Sequence, residues 1–216
     1  MASILDIFNG AFEATPKATV ELPAPDFRPL FSDSIVARLS TYLELDIEQG
    51  PWLAGGAVRK SYLGQSIENS DLDIWFASPE QFDNAKKKVI ALGASEAYST
   101  DNAISYKFYE GHRAYTIQLI RRRYFKSAEE IINGFDFTVC QMATDGTKLI
   151  VGEHTIRDIK TRTLRLAQYQ LPEHIVPRII KYMVYGYRPC LELLEDIDDN
   201  SSTINWLKQQ NEYDAV

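Results

Sequence analysis

The spacing of apolar residues alternates between helical and strand periods along the chain. Ile35, Leu39, Tyr42 and Leu43 recur every three to four residues, predicting a helix to about Leu45 capped by Ser32 or Ser34. Trp52–Ala54 reads as a short buried strand, and Gly56–Leu63 as a helix stopped by Gly64. Leu72–Ala77 alternates as a strand. Pro79 then opens a helix that closes at Gly93. Ile104–Tyr109 and Ala114–Ile120 are β-rich runs around Glu110-Gly111-His112, a predicted hairpin. Ser127 caps a short helix through Ile132, and Phe135–Ala143 pairs with Lys148–Val151 around Asp145-Gly146. The helical period returns over Glu173–Tyr187. An acidic break covers residues 195–202, and a weak last helix spans Thr203–Gln210. Residues 1–31 read as a short amphipathic segment and an extended arm carrying Pro16, Pro23, Pro25 and Pro29. The pattern predicts an α+β fold: a small mixed sheet backed by helices, then a C-terminal helical segment.

Composition narrows the function classes. The 216 residues are 45% hydrophobic and 12% aromatic, enough for a real core. A formal net charge of −7 disfavours general nucleic-acid binding, which draws on Lys and Arg at phosphates. Cys140 and Cys190 sit in apolar contexts, as expected of packed, reduced thiols in a cytoplasmic protein. His112, His154 and His174 show no zinc-ligand spacing with them. The first residues show no secretory pattern, no apolar run approaches a membrane span, and no internal repeat is visible. Neither the Gly-x-x-x-x-Gly-Lys-Ser/Thr loop nor Gly-x-Gly-x-x-Gly after a strand is present.

The stretch Leu53–Phe76 carries the chemistry. A Gly55-Gly56 turn opening a helix offers backbone N–H groups to an anion. On a strand, Asp71, Asp73 and Trp75 share one face, and Leu72, Ile74 and Phe76 the other. Carboxylates two residues apart on a strand lie roughly 6–7 Å apart at the backbone. That spacing lets them converge on Mg²⁺, which takes one or two protein carboxylates and completes its shell with phosphates and water. Asp-x-Asp alone is common, and so is Gly-Gly before a helix; the ordered combination of the two is far rarer.

That combination resembles the nucleotidyltransferase superfamily typified by DNA polymerase beta. It is most similar to the head domain of bacterial poly(A) polymerases and CCA-adding enzymes. The matching residues are Gly55, Gly56, Val58, Arg59, Leu63, Gly64, Asp71 and Asp73. Phe135-Asp136-Phe137-Thr138-Val139-Cys140 is similar to the Asp-Phe-Thr strand of those heads. The resemblance implies a catalytic domain over residues 1–152 and a helical, neck-like segment over 153–216. It implies transfer of NMP from an NTP, ATP or CTP, to a hydroxyl acceptor with release of pyrophosphate. The expected acceptor is an RNA or tRNA 3′ end, with a protein acceptor as the other candidate.

In that reading Asp71 and Asp73 hold Mg²⁺ (or Mn²⁺). Gly55, Gly56 and Arg59 grip the β and γ phosphates, and Asp136 faces the nucleotide sugar. The chain also departs from the pattern. Lys60 replaces an Asp and becomes a phosphate ligand or a solvated cation. Gln118 stands where a third acid belongs, and a neutral amide orients a hydroxyl without acting as a base. Either Asp136 takes that role, or the metal alone activates the hydroxyl, or the protein is a weak or inactive nucleotide-binding regulator of the same fold. Strand alternation places Arg122 on the side of Gln118 as a substitute phosphate ligand. Arg178 and Lys181, close together on a helix, are candidate acceptor contacts, although the acids expected before Arg178 are His174 and Ile175. Tyr182, Tyr185 and Tyr187 suit either base stacking or a core.

Overall fold

The computed structural model describes residues 19–22, 35–68, 70–168 and 172–198. The amphipathic N-terminal segment, the four prolines of the arm, the Ser32 or Ser34 cap and the helix expected at Thr203–Gln210 lie outside them. The chain forms two compact units. One is the described part of Lys17–Phe135 with Cys140–Glu153, and the other contains Asp136–Val139 and the described part of His154–Val216.

The first unit is built on an eight-stranded sheet among the described residues. In chain order its elements are β1 (Thr19–Leu22), α1 (Ile35–Leu43), β2 (Trp52–Ala54), α2 (Gly56–Tyr62), β3 (Asp71–Trp75) and α3 (Pro79–Ala91). There follow β4 (Ser95–Ser99), β5 (Ala103–Glu110), β6 (Arg113–Ile120), α4 (Ala128–Ile132), β7 (Met142–Thr144) and β8 (Leu149–Gly152). The strand order is β1-β8-β7-β2-β3-β6-β5-β4. The β3–β6 pair is parallel, and the other pairs are antiparallel. The α+β prediction and the mixed sheet therefore hold.

The two sheet faces are chemically different. Leu53, Leu72, Ile74, Ile104, Tyr106, Ile117 and Leu119 are all buried on one face. Helix α3 covers it with Phe82, Ala85 and Val89, starting from Ser78, whose side chain accepts the Gln81 N–H. On the other face, α4 seals only part of the sheet. Ala128, Ile131 and Ile132 pack there with Trp52, Ala54, Ala143 and Ile150. Each large apolar side chain so buried contributes about 1.5–3 kcal/mol. The rest of this face, over β3, β6 and β5, carries polar residues at the alternate positions.

The second unit contains α5 (Thr155–Thr161), β9 (Thr163–Leu164), α6 (Pro172–Val184), β10 (Arg188–Pro189) and α7 (Leu191–Asp198). Its interior holds a polar cluster. Asp158, 1% exposed, accepts from Thr138 Oγ1 (2.8 Å) and Arg165 Nε (3.2 Å), and Arg165 Nη1 reaches Glu192 Oε2 (2.7 Å). Phe137, Tyr182 and Tyr187 are buried and meet edge-to-face around Tyr182. Tyr182 and Tyr187 are thus core residues, and Tyr185 is exposed.

Three sequence expectations are corrected. Phe135–Ala143 is not one strand: Thr138–Cys140 is a 3-10 turn, and β7 begins at Met142. The amides and carbonyls there pair outside the sheet instead, mostly with residues 165–167. Phe137 N–H donates to Asp136 Oδ1, Ala167 N–H to Asp136 O, and Thr138 N–H to Arg165 O. The acidic break does not begin at residue 195, because α7 continues to Asp198. Strand β4 is an addition; its five exposed residues give no apolar alternation to read.

Candidate functional site

Strand β2 delivers the chain to Gly55, whose N–H still donates to Met142 O (2.8 Å). Gly55 then takes φ 90° and ψ −137°, a left-handed turn suited to glycine, and α2 starts at Gly56. The first helical bond runs from Arg59 N–H to Gly55 O (3.2 Å). The amides of Gly56, Ala57 and Val58 therefore precede the helical ladder. The Gly55 amide, expected to face an anion, is instead committed to the sheet.

A methyl group on Gly55 would lie 3.3 Å from the Phe135 ring and 3.9 Å from Asp73 Oδ2. The glycine hinge and the second aspartate are thus neighbours. Asp71 is exposed, Leu72 buried, Asp73 half-buried and Ile74 buried, so both carboxylates share the polar face. The register sets their neighbours: Asp71 opposite Thr116, and Asp73 opposite Gln118. Gln118 Nε2 donates away from the acids, to Tyr98 OH (2.9 Å) and Ser105 Oγ (3.0 Å).

Among the described residues no cluster of three or more His, Cys, Asp or Glu could hold a metal. The donor set is two carboxylates on one face. It fits Mg²⁺, which needs no more from the protein when substrate oxygens complete its shell. Asp71 and Asp73 are the residues that would hold it.

The basic residues divide. Lys60 Nζ reaches Ser70 Oγ (2.7 Å), immediately before Asp71. Arg59 is only 4% exposed, with Nη1 3.8 Å from Cys140 Sγ, so its guanidinium packs in the core rather than at the surface where a triphosphate would be gripped. Strand β6 ends at Ile120 because the amides of Arg121 and Arg122 both turn to Asn102 O. Alternation therefore does not extend to Arg122, which is exposed. Arg121 bonds Thr100 O, and Arg123 pairs with Glu130 and lies over the Phe125 ring. Backbone donation from Lys126, helped by Arg123, holds the Glu130 carboxyl below its usual range.

Asp136, Arg178 and Lys181 belong to the second unit. Asp136 is buried at a bend, and the Arg178 guanidinium spans its carboxylate through Nε and Nη2. Arg178 is thereby engaged with Asp136, and Lys181 is exposed one turn further along α6. Sequence reasoning overlooked Tyr98, Ser105, Lys107 and Thr116, which the β4–β5 and β5–β6 registers bring to the polar face. It also overlooked Phe135 beside the hinge.

Among solved structures the fold is similar to the Thermotoga maritima CCA-adding enzyme complexed with tRNA_CCA. The match has TM-score 0.59 and 17% identity over 83% of this chain and 46% of that one. The complex of CCA-adding enzyme with CTP matches at TM-score 0.61 and 18% identity, over 86% and 48%. A tRNA nucleotidyltransferase complexed with a primer tRNA and an incoming ATP analog matches at TM-score 0.52 and 20% identity, over 75% and 49%. The chain spans about half the length of these structures. Over the shared part the fold is that of these CCA-adding enzymes. No curated protein matches the sequence. The model of one family, described as Gabija anti-defense 2 family protein (Gad2), matches residues 30–162. That match covers more than half of the sequence, and the chain belongs to the Gad2 family.

Proposed function

We propose that this protein is a Mg²⁺-dependent nucleotidyltransferase whose activity serves to counter the Gabija defence. The observation that carries the reading is the close approach of the Gly55 hinge to Asp73, with Asp71 on the same face. The acceptor hydroxyl oxygen attacks the α-phosphorus of an NTP, ATP or CTP. A P–O bond forms to the acceptor, the α–β P–O bond breaks, pyrophosphate leaves, and the hydroxyl proton passes to solvent. Bound Mg²⁺ supplies charge neutralisation on the phosphates and lowers the pKa of the attacking hydroxyl. Asp71 and Asp73 hold it. The amides of Gly56–Val58 and the Lys60 ammonium meet the phosphates, and the Phe135 ring stands behind Gly55. Arg122 is a peripheral phosphate contact. Residues 1–152 form the catalytic head and 153–216 its neck.

Gln118 favours a second reading, binding without turnover, because an amide cannot take the hydroxyl proton. One assay separates the two. The protein is incubated with Mg²⁺, each NTP labelled at the α-phosphate, and pooled RNA, small-molecule and protein acceptors. Label transfer and pyrophosphate release by wild type but not by Asp73→Asn support the enzyme. Mg-NTP binding by calorimetry with no pyrophosphate release supports the regulator. Equal labelling by both proteins overturns the site assignment.

A further inference from the structure

The sheet brings one of the chain's own hydroxyls to the acids. Asp73 on β3 stands opposite Gln118 on β6, Gln118 opposite Ser105 on β5, and Ser105 opposite Tyr98 on β4. With strands about 4.8 Å apart, the Tyr98 backbone lies about 14 Å from that of Asp73. Its hydroxyl lies much nearer. The Tyr98 oxygen accepts from Gln118 Nε2 (2.9 Å), so the phenol reaches back across β5 to the residue beside Asp73. Ser105 leaves room for it, since its short side chain is buried and accepts from the same amide (3.0 Å). The other hydroxyls close to the acids in sequence or register are shut away. Ser70, Ser105 and Thr116 are 8%, 0% and 4% exposed, and Ser70 and Thr116 accept from Lys60 and Lys107. Tyr98 is 48% exposed.

We propose that Tyr98 is a self-modification site, at which the chain transfers NMP from a Mg-NTP to its own phenol in cis. This modification rests on the nucleotidyl-transfer reading of Asp71 and Asp73. The Tyr98 oxygen attacks the α-phosphorus of the NTP. A tyrosyl O–P bond forms, the α–β P–O bond breaks, pyrophosphate leaves, and the phenol proton passes to solvent. A phenol ionises more readily than a serine or ribose hydroxyl, which suits it to a site whose neighbouring side chain, Gln118, is an amide and no base. The nucleophile is tethered by β4 and oriented by a hydrogen bond, so no encounter between molecules is needed. One tyrosine takes one NMP, and incorporation saturates at one per chain.

The test incubates the full chain with Mg²⁺ and ATP or CTP labelled at the α-phosphate, with and without pooled RNA, small-molecule and protein acceptors. Tandem mass spectrometry locates the label, and thermal melting checks the fold of each variant. Wild type is expected to take up one NMP on Tyr98, with a rate constant independent of protein concentration. Tyr98→Phe, which keeps the ring, is expected to lower self-labelling by about tenfold or more. Tyr109→Phe alters another exposed tyrosine and keeps it. Asp73→Asn is expected to stay unlabelled when mixed with Tyr98→Phe, because neither chain then holds both acids and the phenol. Unchanged self-labelling of Tyr98→Phe, label on Asp73→Asn in that mixture, or a rate constant that rises with protein concentration overturns the proposal. So does wild type that labels a pooled acceptor through Asp73 and never itself, a result that leaves the nucleotidyl-transfer reading standing. Wild type that binds no Mg-NTP by calorimetry, labels nothing and releases no pyrophosphate refutes both.

Discussion

Gln118 stands directly opposite Asp73 in the parallel pairing of β3 and β6. Its amide nitrogen is occupied by Tyr98 and Ser105, which leaves the carbonyl oxygen as the atom available to the acids' side. Gln118→Leu removes that oxygen and both hydrogen bonds, and is expected to lower kcat by roughly tenfold or more. Gln118→Glu places a third carboxylate beside Asp73. Like-charge proximity raises its pKa, so it ionises late, and the rate gains a limb that rises with pH and that wild type lacks. Steady-state pH–rate profiles of the three proteins check this.

The two glycines of the hinge separate conformational from ligand effects. Gly55→Ala forces a side chain into φ 90° and within 3.3 Å of Phe135. It is expected to cost about 1–3 kcal/mol of stability in urea denaturation. Nothing lies within 4 Å of a methyl group on Gly56. Gly56→Ala is therefore expected to leave stability unchanged or slightly raised, while the KM for NTP increases because the methyl group intrudes where phosphate approaches.

The second unit depends on a charge cluster taken out of water. Asp158 is 1% and Arg165 5% exposed, joined through Nε and Oδ2. Removing one member strands the other. Arg165→Ala is expected to lose about 3–5 kcal/mol, and replacing Asp158 and Arg165 together with apolar residues less than the single change. Denaturation midpoints of the single and double variants measure the difference.

Cys190 gives an alkaline signature. Burial pushes its thiol up to about 11, from an ordinary value of 9.0. Below pH 9 the folded and unfolded chains both carry the thiol, and no stability is lost. Between about 9 and 11 the unfolded chain ionises first, so stability falls, by on the order of 2–3 kcal/mol, and then levels. Cys190→Ala is expected to show a smaller decline over the same interval. At neutral pH the thiol is expected to resist alkylation until the protein unfolds.

The legible parts of the fold were those where local chemistry decides. Trp52–Ala54, the Gly55-Gly56 turn and the Asp71–Trp75 alternation carry their own signals in apolar run, left-handed glycine and period two. Placing Gln118 beside the acids needed only that β6 lie next to β3. Arg59 misled because an arginine in a motif reads as a surface ligand, whereas its 4% exposure is decided by how α2 packs. Asp136 lies in a segment whose partners come from residues 165–167, a long-range pairing that no local pattern announces. The polar-face residues Ser105, Lys107 and Thr116 were within reach. The hairpin loop is Gly111-His112, with Glu110 opposite Arg113, and that register alone sets Ser105 opposite Gln118 and Lys107 opposite Thr116. Reading Glu110 as part of the turn concealed it.

The central claim is that the two carboxylates and the glycine hinge hold one metal–triphosphate ligand. A crystal structure of the full chain with Mn²⁺ and a non-hydrolysable ATP analogue tests it most directly, since manganese is located by its anomalous scattering. The account predicts manganese bound by Asp71 and Asp73 oxygens, with the triphosphate against the amides of Gly56–Val58. An analogue seated elsewhere on the chain, or seated at the hinge with manganese bound by neither aspartate, contradicts it.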